Sequence, residues 1–187
     1  MNPLVIDPRT TALVLIDLQQ SIVGLPVVPH PAPEVVGNSV RLADRFRLRG
    51  ATVVLVRVAF LDERDRLQPT LDTPVPARQG KSDLVPEIGP REGDLLITKR
   101  QWGAFYGTEL DLQLRRRGIR TIVLGGIATN MGVESTARDA YERGYDQVFV
   151  EDAMSSVNAD GHRFAVGVIF PRLGRVRSTE EVLQALA

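Results

Sequence analysis

The chain has 187 residues, enough for one ordinary domain in which folding buries about 70% of the extended-chain surface, so a core can form without metal or disulfides. A 43% hydrophobic and 25% charged composition fits a soluble globular protein, and 23 basic against 23 acidic residues give a formal net charge of +0, which advertises neither nucleic acid nor a membrane surface as partner. The absence of cysteine excludes disulfides, thiolate metal ligands and every cysteine-nucleophile mechanism, and leaves His30 and His162 as the only imidazoles.

The N-terminal stretch MNPLVIDPRTTALVLIDLQQ carries a short apolar run with no basic segment before it and no signal-cleavage pattern, so it reads as structure. Within it TALVLID, residues 11 to 17, is an almost continuous apolar strand ending in an acid. A loop with Pro26, Pro29, Pro31 and Pro33 follows, then a helix from about Glu34 to Arg49, which leads through Gly50 into the strand TVVLVRVAF, residues 52 to 60. Continuous apolar strands separated by helix-length segments imply crossovers that cover both faces of a parallel sheet.

Residues 61 to 94 are rich in proline and lack sustained periodicity, which predicts a long, partly ordered loop within a single domain spanning 1 to 187. LLITK, residues 95 to 99, is the next strand. After the aromatic WGAFY segment come a short helix over Thr108 to Arg117 and the strand TIVLGGI, residues 121 to 127.

The following helix offers Val133, Ala137, Ala140 and Tyr141 to one face, with Glu134, Arg138, Asp139, Glu142 and Arg143 at pairing distance on the other. Beyond Gly144, DQVFVED, residues 146 to 152, supplies a strand. A helix over Asn158 to Phe170, a short strand near Leu173 to Val176 and a terminal helix opened by the capping-box spacing Ser178 to Glu181 complete the pattern. No apolar run reaches the roughly 18 residues of a spanning helix, and a cytoplasmic protein with no membrane partner is expected.

Open parallel sheets bind ligands beyond the carboxyl ends of their strands. Asp17, Lys99 and the turn after Gly126 all stand at such ends. On the residues alone, this constellation is either a ligand site or a structural ion pair.

The blocks ALVLIDLQQ, ITKRQWGAFYGTELDLQLRRRGI, IVLGGIATNMGVESTARDAYERGY and VEDAMSS stand in an order that resembles the isochorismatase-like hydrolases, also called the cysteine hydrolase superfamily, over most of residues 10 to 177. That resemblance implies an α/β fold: a three-layer αβα Rossmann-like sandwich whose six-stranded parallel sheet has the order 3-2-1-4-5-6. No GxGxxG follows the first strand, so the order brings no dinucleotide site with it, and no cofactor is expected. The resemblance assigns Asp17 and Lys99 to the catalytic acid and lysine positions. Gly132 occupies the position where amidase branches carry their nucleophilic cysteine, and true isochorismatases resemble this chain in having glycine there.

The activity implied by the resemblance is hydrolysis of a vinyl ether such as isochorismate: Asp17 protonates the enol carbon, water captures the oxocarbenium ion, and the adduct collapses to release pyruvate. Lys99 would orient the reacting group, bind a substrate carboxylate or hold Asp17 in place. True isochorismatases show a KxR pattern where this chain has Lys99, Arg100 and Gln101, so a guanidinium expected there is replaced by an amide. The family likeness also implies a cis peptide bond before Ala128, with Ala128, Thr129, Asn130 and Gly132 in the substrate-binding turn.

Gln101, Trp102, Phe105 and Tyr106 would wall a small planar or cyclic substrate, core packing being the competing role for the aromatics. His30 and His162 carry no metal-ligand spacing and read as surface or packing residues, so no metal is expected. Arg41, Arg45 and Arg49 form a helix-spaced stripe read as a solvated face, not a nucleic-acid contact. Family habit and the frequency of two-fold association suggest a homodimer or higher homo-oligomer. The alternative to an enzyme is a catalytically inactive small-molecule-binding protein that retains the hydrolase fold.

Overall fold

The computed structural model describes residues 4–65, 70, 72 and 83–186. Six strands, β1 (Thr11–Ile16), β2 (Thr52–Val58), β3 (Leu95–Lys99), β4 (Thr121–Ile127), β5 (Asp146–Ser155) and β6 (Arg175–Arg177), form one sheet in the order β3-β2-β1-β4-β5-β6, and every pair is parallel. The order expected by resemblance is therefore the order found.

Alternation along the central strand explains the layers. Leu13 and Leu15 point to one face, where they meet Val35, Leu42 and Phe46 of the long helix Ala32–Leu48 and Val182 of the terminal helix. Ala12, Val14 and Ile16 point to the other, against Leu110, Leu114, Ala137 and Ala140. Because both faces are covered, β1 is buried at all six positions, which is why it reads as an unbroken apolar run.

The helices, in chain order, are α1 (Gln20–Val23), α2 (Ala32–Leu48), α3 (Leu110–Arg116), α4 (Glu134–Glu142), α5 (Ala159–Phe164), α6 (Phe170–Leu173) and α7 (Thr179–Ala185). The helix expected over 158–170 is present as an unbroken helical run made of α5, a π-helical turn at Ala165–Ile169 and α6. Tyr141, expected on the inner face of α4, is exposed; Thr136 is buried there with Val133, Ala137 and Ala140, the i, i+3, i+4, i+7 stripe of an ordinary helix, which position 141 borders. Glu134–Arg138 and Asp139–Arg143 pair as their spacing predicts, at 2.8 and 3.0 Å. The capping box of Ser178 and Glu181 is complete in both directions.

Part of the 61–94 segment lies outside the described residues. Within the described part are short 3₁₀ turns at Glu63–Asp65 and Pro86–Ile88 and a bridge that pairs Leu84 with Gln19. Among the described residues no helix is long and apolar enough to cross a membrane.

Candidate functional site

Asp17 is the first residue past β1, at the point where the sheet order reverses and its neighbours diverge to β2 and β4. Its N–H donates to Val56 O at 2.9 Å, extending the β1–β2 ladder, and its backbone then enters the left-handed region at φ 53. Aspartate tolerates that conformation better than most residues. Gln19 clamps the adjoining strand end: its amide nitrogen donates to Val58 O at 3.0 Å, and its amide oxygen accepts from Val58 N–H at 2.8 Å.

Lys99 ends β3, two strands from β1, a separation of about 10 Å at ordinary strand spacing. A long side chain is needed to cross it. The ammonium lies 2.7 Å from Asp17 Oδ2 and donates to Trp102 O at 2.6 Å, and the two charged side chains are only 2% and 7% exposed.

The third member arrives from β4. At Gly126, φ is 120, and a Cβ there would stand 2.1 Å from Ile16 O, so only glycine lets β4 run this close to β1 at the site. The Ile127–Ala128 peptide bond is cis. A π-helical turn, Thr129–Val133, then brings Gly132 down onto the ion pair. A Cβ on Gly132 would lie 3.2 Å from both Asp17 Oδ2 and Lys99 Nζ and 3.0 Å from Ile16 Cγ2. Three segments more than 30 residues apart in the chain thus meet within one side chain's reach.

The other residues expected around the substrate separate into different environments. Phe105 is buried in the core beside Tyr145, ring centroids 5.8 Å apart, with the Arg143 guanidinium over its face; Trp102 and Tyr106 are exposed. The three aromatics therefore do not form one wall, because the 101–106 segment coils on itself. Gln101 holds that coil, donating to Tyr106 O at 2.5 Å and Gly103 O at 3.2 Å. Asn130 accepts from Ser156 Oγ at 2.5 Å and packs on Gly161, and the Ala128 carbonyl accepts from the N–H groups of Met131 and Val133. Thr136, which sequence reasoning missed, donates to Gly132 O at 2.7 Å and accepts from Ala104 N–H at 3.1 Å, tying the turn to the coil.

A second cluster also escaped the sequence. β4 advances two residues from Leu124 to Gly126 while β5 advances five, from Phe149 to Met154, so β5 bulges and re-aims its side chains. Asp152 turns to α7, accepting from the Thr179 N–H and hydroxyl at 2.7 Å each. Glu151 turns to both histidines: its Oε1 lies 2.8 Å from His30 Nε2 and 3.3 Å from His162 Nε2. Thr129 Oγ1 and His162 Nδ1 are hydrogen-bonded at 2.8 Å, so Thr129 faces this cluster. Hydrogen bonding to His162 first, and then to His30, lowers the Glu151 carboxyl to about 2 against the opposing effect of burial. At His30 burial works against the charge, yet Glu151 and Glu34 together hold the imidazole above its ordinary value.

Residues 11–181 match the isochorismatase domain. The chain belongs to the isochorismatase family. Among isochorismatase-family relatives, YwoC of Bacillus subtilis is 51% identical, with 98% of each chain covered. The structure of an isochorismatase family protein from Burkholderia thailandensis, 45% identical, superposes with a TM-score of 0.93 and 99% of each chain covered. At 30% identity lies the ureidoacrylate amidohydrolase RutB of Caulobacter vibrioides, with 85% of this chain and 83% of RutB covered. The protein is thus an isochorismatase-family hydrolase by kinship, with the family's fold.

Proposed function

We propose that this isochorismatase-family chain hydrolyses a small carboxylated metabolite without a cysteine nucleophile, with Asp17 as proton donor and Lys99 as the anchor of the substrate carboxylate. The observation that carries this reading is the meeting of Asp17, Lys99 and Gly132. An acid and an ammonium lie 2.7 Å apart, and the absence of a Cβ on Gly132 lets its backbone approach both closely. A thioester route has no atom to begin from, since the chain contains no cysteine.

Vinyl-ether hydrolysis suits such a pair. Asp17 delivers its proton to the terminal enol carbon, and the ether oxygen shares the positive charge that develops. Water adds to the cationic carbon and returns a proton to Asp17. The resulting hemiketal breaks its bond to the leaving alcohol and becomes a ketone, pyruvate for an enolpyruvyl ether. An ammonium beside Asp17 favours its anion, so the acid role requires help from the substrate. A bound carboxylate gives Lys99 a second anionic partner, and an anion beside Asp17 favours the protonated acid. A carboxylated substrate is therefore the class this reading favours.

A blind metabolite screen that follows both binding and product mass would find a substrate, isochorismate being one compound on the panel. On that substrate Asp17→Asn is expected to lower the single-turnover rate by about 10²-fold or more while binding survives. Near-equal rates would remove Asp17 as the acid. Saturable binding by both proteins with no turnover across the panel would instead identify a binding protein that keeps the hydrolase fold. A homodimer is part of the same reading, on family resemblance; light scattering that stays at the 20.6 kDa of one chain at all working concentrations would overturn it.

A further inference from the structure

The two histidines of this chain, 132 positions apart, converge on a single carboxylate oxygen. One ligating atom from each of His30, Glu151 and His162 lies within 4.8 Å of the others. A tetrahedral zinc site with Zn–N and Zn–O bonds of about 2.0–2.2 Å separates its ligand atoms by roughly 3.3–3.5 Å. The His162–Glu151 separation of 3.3 Å already has that value, and the His30–Glu151 separation of 2.8 Å reaches it by a small side-chain rotation.

The outer contacts are also those of a metal site. A metal-ligating imidazole is normally fixed by a partner on its second ring nitrogen. His30 Nδ1 has the Glu34 carboxylate at 3.3 Å, and His162 Nδ1 has the Thr129 hydroxyl at 2.8 Å. Both Nε2 atoms are thereby left aimed at Glu151. His162 is buried, whereas His30 and Glu151 are 21% and 34% exposed, so solvent reaches the cluster on one side and can complete the coordination.

We propose that His30, Glu151 and His162 form a His2Glu site for one divalent transition-metal ion, zinc being the best match. Two imidazoles and one carboxylate suit zinc, cobalt or nickel and disfavour the all-oxygen cations magnesium and calcium. The ion joins three separately positioned elements: the segment before α2, the β5 bulge and α5. That segment is already pinned near the cluster, since Val28 and Ser156 exchange backbone hydrogen bonds at 2.6 and 2.9 Å. Thr129 then connects the ion to the turn that places Gly132 on the Asp17–Lys99 pair. The ion is a ligand of this second cluster, independent of the hydrolytic reading of the first.

The full chain, stripped of metal with a chelator and dialysed, would be titrated with Zn2+ by calorimetry and with Co2+ by visible absorption. The expected result is one ion per chain, tetrahedral-type Co2+ bands displaced by Zn2+, and a higher melting temperature with Zn2+ but not with Mg2+. His30→Ala, on a partly exposed loop position, should abolish the saturable phase with the circular dichroism spectrum unchanged. Thr129→Val should weaken Zn2+ by about 10- to 100-fold, with Thr129→Ser restoring it. No saturable Zn2+ or Co2+ binding by the wild type, binding that is unchanged in both His30→Ala and Glu151→Gln, or equal stabilisation by Mg2+ would each overturn the site.

Discussion

The two polar clusters of this protein hold charge in opposite ways. Asp17 and Lys99 are almost sealed from water and stand at the ends of two strands, β1 and β3. Glu151 and His30 are partly open to solvent while His162 is buried, and the three are placed by a bulge, a loop and a short helix. In the sealed pair, each ion depends on its partner because water cannot replace it. In the open cluster, solvent screens what a lost partner exposes. The same kind of substitution should therefore be costly in one place and cheap in the other.

Asp17→Ala is the strongest way to break that contrast. It strands the Lys99 ammonium in the interior and puts a residue without aspartate's tolerance at φ 53. A loss of about 3–5 kcal/mol is expected, read as a lower urea midpoint with the slope unchanged. Asp17→Asn should lose much less, because asparagine accepts the left-handed conformation and its amide oxygen still receives the ammonium. Equal losses from the two substitutions would mean that the pair is not what stabilises this corner. Gly132→Ala comes next. Its Cβ would crowd Asp17 Oδ2 and Lys99 Nζ at 3.2 Å, so the pair must shift. We expect a fold cost of about 1–3 kcal/mol for the overpacking and loss of any Asp17-dependent turnover. Unchanged turnover in Gly132→Ala would place the reacting atoms elsewhere.

Legibility in the sequence divides along the same line. β1 and β4 are buried on both faces, so their residues form apolar runs whose ends name Asp17 and the Gly126 turn directly. Lys99 is a charged residue closing a short strand, and the matched blocks supply its partner. Nothing local predicts the His30–Glu151–His162 cluster. Its members belong to a proline-rich loop, a strand interior and a helix, and they meet because β5 carries extra residues relative to β4. A register shift leaves no trace in hydrophobic alternation. The 101–106 segment resists reading for a related reason: with no period to separate inner from outer positions, Trp102, Phe105 and Tyr106 look equivalent in the sequence, whereas only Phe105 enters the core.

On the open side of the comparison, His30→Ala in metal-free protein is expected to cost no more than about 1 kcal/mol, since the Glu151 and Glu34 carboxylates it leaves are reached by water. Thermal denaturation in chelator would measure it. A loss as large as that of Asp17→Ala would show that partial exposure does not soften this cluster and would dissolve the contrast.

A more exposed reference sharpens the scale. Ser178 caps α7 by accepting from Glu181 N–H, and Glu181 Oε2 accepts in return from Ser178 N–H at 2.8 Å. Ser178→Ala should cost about 1 kcal/mol, the ordinary worth of such a cap. The backbone hydrogen bond from Ser178, followed by that of its hydroxyl, draws the Glu181 carboxyl below its usual value. A carboxylate depressed on folding adds stability that is complete above its unfolded pKa and disappears as pH falls through the folded one. Wild type should therefore exceed Glu181→Gln in stability at neutral pH, and the gap should close in the acid range below the ordinary carboxyl value. Urea titrations of both proteins across that range would show the convergence. A gap that stayed constant with pH would assign the cap's worth to hydrogen-bond geometry alone, with no contribution from the carboxylate charge at the start of α7.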